Sequence, residues 1–335
     1  MSRIEVLPGL CSRIYSRHCL HHEDRIWVEK NCYSDLWIEL LHSLDLEPLA
    51  LFSFVHAVDF EGDQWTFFKP PLEVLRCLYG IDVQELTVWR PLIEHAVEHL
   101  GNGKLISTEA DAYWLPDTSG TDYRHTHTKT TIVLANVDVQ NQWLGYFHNT
   151  GYFELSGDDF RKLFRLDAGP DTEFLPLFAE LVRIDRLVKQ PKIKLAEHSL
   201  QLLRLHFGRR PLKNPFVGFS LRLAEDLPKL QIRGLPYYHA WAFASIRQVG
   251  AAFELASANL RWLASCGQPG LEAPARSFDI ISATSKALIL KGARAVNAKR
   301  ALESADMLKQ LAQAWDEGMG MLEQYLNQPT LQPPR

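Results

Sequence analysis

The chain has 335 residues, too many for one ordinary core, so two domains are expected. Hydrophobic residues make up 46% and charged residues 23%, which excludes a disordered chain. A formal charge of −4, with no run of about 18 apolar residues, excludes the field that nucleic acid needs and predicts no membrane span.

Residues 1–28 read as an irregular lead-in that closes on a short strand, Arg25 to Val28. A helix is predicted from Cys32 to about Ser43, with Leu36, Ile38, Leu40, Leu41 and Leu44 as its apolar positions and Asn31 or Ser34 as its cap. Leu49 to Phe54 reads as a buried strand, although so short an apolar run also fits a helix. Helices follow at Leu72 to Tyr79, with Gly80 as C-cap, and at Trp89 to Leu100, with Pro91 in the first turn. The period then changes to two. Strands are predicted at Leu105 to Leu115, Thr130 to Val137, Gln142 to Phe147 and Gly151 to Leu155, and Ser156 or Asp158 caps a short helix after them.

From Phe174 onward the pattern is helical: Phe178 to Lys189, Leu195 to Phe207, Phe216 to Leu227, Tyr237 to Cys266, Ser277 to Lys291 and Ala301 to Tyr325. The predicted organisation is therefore an α+β domain with an antiparallel sheet over 1–170, an all-helical bundle over 171–328 and a flexible tail at 329–335. Five scattered cysteines and a first segment without the apolar core of a signal peptide predict a cytoplasmic protein with reduced thiols. His18, Cys19, His21 and His22 fit no zinc spacing, so no metal is expected.

The chemistry-bearing feature is the thiol of Cys32 at a helix start, where the dipole favours thiolate. A helix-borne cysteine followed by an antiparallel sheet and a histidine ahead of a strand is the order of the papain-type nucleophile. His127 lies nearest the Thr130 strand and is the preferred base; His125, two residues earlier, is the alternative. Past the hairpin stand His148 and Asn149, and Asn149 completes a Cys32–His127–Asn149 triad. His148 is the second alternative, read first as a pocket residue. The Cys32 backbone N–H and Asn31 are candidates for the oxyanion hole. Asp111 and Tyr113 are substrate-binding candidates, against the alternatives that Asp111 caps a loop and Tyr113 packs. Arg209, Arg210 and Lys213 form a basic loop suited to a phosphate or an acidic surface.

Lys129 to Ile132, Leu144-Gly145-Tyr146-Phe147-His148-Asn149 and Tyr152 to Phe160 resemble the bacterial family called domain of unknown function 1839, over nearly the whole chain. The first half is more distantly similar to the N-terminal domain of the butirosin-biosynthesis acyltransferase and to bacteriocin-processing cysteine peptidases. The shared features are a cysteine at a helix start, an acidic-aromatic stretch ending in Leu-Pro (Asp111 to Pro116), and a histidine before a strand. Two positions depart from those relatives: Tyr33 follows Cys32 where they carry small residues, and His148-Asn149 stands near their third triad member, commonly an aspartate.

The resemblance implies a papain-like domain followed by a helical domain. It also implies transfer of an acyl or aminoacyl group from a carrier-protein thioester, through a Cys32 thioester, to a small amine acceptor. No cofactor is implied beyond the phosphopantetheine of the carrier protein. A cysteine peptidase or amidase, and an inactive interaction protein on the same frame, are the competing expectations.

Overall fold

A computed structural model describes residues 3–168 and 177–328 of the chain. The chain is an α+β protein with an antiparallel sheet and a helical C-terminal region. It forms two compact units that alternate along the sequence. One comprises Met1–Glu23, Asn31–Pro48 and Pro71–Lys189; the other comprises Asp24–Lys30, Leu49–Pro70 and Gln190–Arg335. The expected boundary between 170 and 171 and the tail at 329–335 lie outside the described residues.

The first unit is built on strands β1 (Ile4–Glu5), β2 (Asp82–Glu85), β3 (Leu105–Asp111), β4 (Lys129–Asp138), β5 (Trp143–His148), β6 (Gly151–Ser156) and β7 (Ala179–Arg183). Their order is β2-β7-β3-β4-β5-β6, with β1 pairing the far end of β4, and every pairing is antiparallel. β4 lies inside the sheet and is buried without interruption from Ile132 to Asp138, which its run of β-branched and apolar residues favours. A bulge between Leu134 and Asn136 shifts its register with β5. Helices α1 (Cys32–Ser43), α2 (Leu72–Tyr79), α3 (Leu92–Gly101) and α4 (Asp158–Leu163) complete the unit.

α1 starts as its sequence predicts. The Asn31 side chain accepts a hydrogen bond from the Ser34 backbone N–H at 2.8 Å, which satisfies one of the donors that a helix start leaves open. α2 stops at Gly80, whose φ of 69° is left-handed; a Cβ there would stand 2.2 Å from the Arg186 carbonyl oxygen, so only glycine fits.

The second unit holds α5 (Lys192–Phe207), α6 (Pro215–Arg233), α7 (Leu235–Ala244), α8 (Ile246–Ser265), α9 (Glu272–Ala298) and α10 (Ala305–Leu326). α8 packs along α9 and α9 along α10. Gly250 on α8 leaves room for Trp27, since a Cβ would come within 2.6 Å of the indole, and that indole donates to the Ser282 hydroxyl at 3.0 Å.

Several predicted elements are corrected. Arg25 to Val28 is irregular chain and not a strand, because Ile26 gives its N–H to the Glu254 carboxylate at 3.1 Å instead of to a neighbouring strand. Leu49 to Phe54 lies in a 3-10 segment, Pro48–Ala57, kinked at Phe52. The helix expected at Phe178 to Lys189 is instead β7, which fills the slot between β2 and β3; the ladder it completes outweighs the helical spacing of its apolar residues. The single run from Tyr237 to Cys266 is two helices, broken at Ser245 (φ −116°, ψ −80°). Gly157, at φ 65°, takes the cap position of α4 in place of Ser156 or Asp158.

Candidate functional site

Cys32 occupies the first turn of α1 and is half-buried. Burial pushes its thiol up, and the nearby Asp35 carboxylate pushes in the same direction. The Thr130 hydroxyl and the backbone N–H groups of Thr131 and Tyr33 pull the other way. The net direction is upward: burial outweighs the helix-start N–H of Tyr33, which pulls toward thiolate. The surroundings therefore hold the group toward its neutral thiol form.

A row of hydrogen-bonded groups starts at Thr130. Thr130 Oγ1 lies 2.7 Å from His148 Nε2, and His148 Nδ1 lies 2.6 Å from Asp117 Oδ2. The other Asp117 oxygen accepts the Tyr146 hydroxyl at 2.5 Å. A carboxylate only accepts, so Nδ1 carries the hydrogen and Nε2 presents its lone pair to the threonine hydroxyl. The His148 and Asp117 side chains are 1% and 3% exposed, so the pair acts out of bulk water. Burial and the Asp117 carboxylate push the Tyr146 phenol far up, which keeps it a donor.

Local structure explains the placement. Tyr146 and His148 are two apart on β5 and share one face, so both reach Asp117. Pro116 starts a one-turn 3-10 segment, Pro116–Thr118, that carries Asp117. The Thr118 hydroxyl oxygen sits 3.0 and 2.9 Å from the carbonyls of Ala112 and Leu115, which ties that turn down.

The other residues singled out in the sequence fall elsewhere. His127 is exposed; its Nδ1 lies 2.6 Å from Asp111 Oδ2, and its ring stacks on Tyr113 with centroids 4.3 Å apart. The β3–β4 register pairs Thr130 with Ala110 and Lys129 with Asp111, so the Thr130 and Asp111 side chains take opposite faces. Asp111 also accepts from the Tyr113 N–H at 3.1 Å, the loop-capping role that was one of its two readings. His125 is exposed, and its backbone N–H bonds to the Asp122 carbonyl. Asn149 sits in the β5–β6 turn at φ 42°, a left-handed position that asparagine tolerates better than most residues. The Asn31 side-chain oxygen is committed to capping α1. In the basic loop, Arg210 binds Glu323 at 2.6 Å and lies over the Phe207 ring.

The structure thus assembles Cys32, Thr130, His148 and Asp117, of which the sequence reading singled out the first and, as an alternative, the third. Asp117 and Thr130 were missed. One signal was available: the two-residue spacing of Tyr146 and His148 puts a phenol and an imidazole on one face of a strand, where a shared partner is expected.

No helix among the described residues is long and apolar enough to cross a membrane. No curated protein matches the chain. The DUF1839 N-terminal domain matches residues 16–184, which takes in Cys32, Asp117, Thr130 and His148, and the DUF1839 C-terminal domain matches residues 192–324. The sheet unit, which carries Cys32 and the Thr130–His148–Asp117 row, and the helical region after it therefore make up a member of the DUF1839 family.

Proposed function

We propose that this protein is a cysteine-dependent acyltransferase on a papain-like frame, with Cys32 as nucleophile and His148, oriented by Asp117, as its base. The observation that carries the reading is the hydrogen-bonded row Thr130–His148–Asp117, whose threonine hydroxyl bears on the Cys32 thiol.

The chemistry follows from the chain. The thiol passes its proton to Thr130 Oγ1 as the threonine proton moves to His148 Nε2, and Asp117 stabilises the imidazolium. The thiolate attacks the carbonyl of a thioester donor; the donor thiolate leaves and takes the proton back from His148. An amine then attacks the acyl-Cys32 and gives a proton to His148, and Cys32 departs as thiolate and takes that proton back through Thr130. The N–H groups of Thr131 and Tyr33 supply fixed dipoles that stabilise the Cys32 thiolate. Sequence resemblance supports a carrier-protein thioester as donor and a small amine as acceptor. A thiol held neutral until a carbonyl arrives suits a donor that must be protected from idle hydrolysis.

The test is to incubate the protein with aminoacyl-loaded carrier protein and measure intact mass. A mass increase of one acyl group on the wild type, absent on Cys32→Ala, is expected. No adduct on the wild type, or an equal adduct on Cys32→Ala, rejects the reading. Release of free acid without amine would move the assignment to a hydrolase using the same residues.

A further inference from the structure

One turn behind the thiol lies a second buried polar cluster that the proposed chemistry does not use. His21, in a short 3-10 turn, is fully buried, as are Asp35 and Glu39 of α1. His21 Nε2 lies 3.1 Å from Asp35 Oδ1, and Nδ1 is in a short contact with Glu39 Oε1. The second Glu39 oxygen accepts the Tyr15 hydroxyl at 2.7 Å, and the His18 backbone N–H reaches Glu39 at 3.0 Å. Both ring nitrogens therefore face carboxylate oxygens. A neutral imidazole has one N–H and can donate to only one of them. The ring satisfies both as an imidazolium, which also supplies the positive charge that two buried carboxylates require.

Asp35 is the link to the site. It stands three residues after Cys32 on the same helix, so the two side chains are neighbours. A bare carboxylate there opposes a negative sulfur, and Asp35 does push the thiol up. The charged or titratable groups that face this pair include His21 and Glu39 around Asp35 and, on the sulfur side, the Thr130–His148–Asp117 row. Tyr15 stays a neutral donor, because burial and Glu39 push its phenol far up.

We propose that His21 is a positioning residue for the nucleophile: an imidazolium clamped between Asp35 and Glu39 that offsets the Asp35 charge and lets Cys32 give up its proton. It builds on the assignment of Cys32 as nucleophile, but its readout does not require acyl transfer.

The experiment is the rate of Cys32 alkylation by iodoacetamide between pH 6 and 10, followed by intact mass and checked against Cys32→Ala. In His21→Gln the midpoint of thiol titration rises by roughly one pH unit, as expected when a neighbouring carboxylate loses its counter-charge. In Asp35→Asn it falls. A packing role alone does not move the midpoint in opposite directions. An unshifted His21→Gln overturns the proposal, as does a rise in Asp35→Asn. If His21→Gln does not fold, the comparison is made between Asp35→Asn and Asp35→Asn/His21→Gln: equal midpoints, both below the wild type, support action through the Asp35 charge, and a changed midpoint in the double variant overturns it. Shifts of the expected sign without an acyl adduct would remove the acyl-transfer reading and leave this one standing.

Discussion

His148 Nδ1 stands 2.6 Å from Asp117 Oδ2, and this one contact fixes which nitrogen of the ring can accept a proton. Replacing Asp117 by Asn reverses the polarity. The amide can offer N–H to Nδ1, which moves the ring hydrogen to Nε2 and leaves Thr130 with no acceptor. Asp117→Asn is therefore expected to lower acyl transfer by about 10²–10⁴-fold. Its stability cost is smaller, about 1–3 kcal/mol from the disturbed Tyr146 and His148 bonds. Single-turnover acylation beside a urea melt separates the two effects. Equal acylation rates would show that His148 is not the base.

Asn149 is explained by its backbone. At φ 42° in the β5–β6 turn, Asn149→Gly should fold as well as the wild type and acylate within about twofold of its rate, whereas Asn149→Ala should lose about 1 kcal/mol of stability. A large loss of acylation in a fully folded Asn149→Gly would restore Asn149 to the site.

The helical unit carries its own pH dependence. Burial, with His206 adding to it, pushes His56 down to about 3, and neither ring nitrogen has a hydrogen-bond partner among the described residues. A histidine depressed in the folded state binds its proton more readily when unfolded. Its contribution is fully present above the ordinary value near 6.5 and is lost as pH falls toward 3. Between pH 7 and pH 5 this amounts to about 2 kcal/mol. His56→Phe, which keeps a ring against Phe278, should flatten the acid side of the stability profile by that amount. Urea midpoints at the two pH values check it, and parallel profiles would contradict it.

Close packing in the same unit gives a second stability test. A Cβ on Gly292 would stand 2.1 Å from the Tyr238 hydroxyl, which bonds to the Ile289 carbonyl at 2.8 Å. Gly292→Ala is expected to cost about 1–3 kcal/mol. Tyr238→Phe in the same chain should recover part of that loss, because it removes the clashing atom. Thermal melts of the single and double variants read the coupling; strict additivity would place the strain elsewhere.

These cases show what the sequence could and could not carry. Local signals were legible: Asn31 as a cap, Gly80 as a stop, the two-residue period of β3 to β6 and the long helices after residue 190. β7 was not legible, because its apolar spacing reads as helix and only the open slot between β2 and β3 decides otherwise. Cys32 was singled out by its helix start. Its histidine partner was not legible in the same way, because position ahead of a strand says nothing about which histidine Thr130 will meet. His127 has an exposed partner in Asp111, whereas His148 reaches Thr130 only once β4 and β5 pair. Asp117 lies 31 residues from His148, beyond the reach of any local pattern.

The most direct test of the account is the rate at which Cys32 takes an acyl group from an acyl-pantetheine thioester, measured by intact mass in the wild type, Thr130→Ser and Thr130→Val. The chain from sulfur to imidazole predicts that serine, which keeps the hydroxyl, stays within a few-fold of the wild type, while valine slows acylation by about 100-fold or more at neutral pH. Equal rates for serine, valine and wild type would show that the proton does not leave through Thr130, and the account of the site would be wrong.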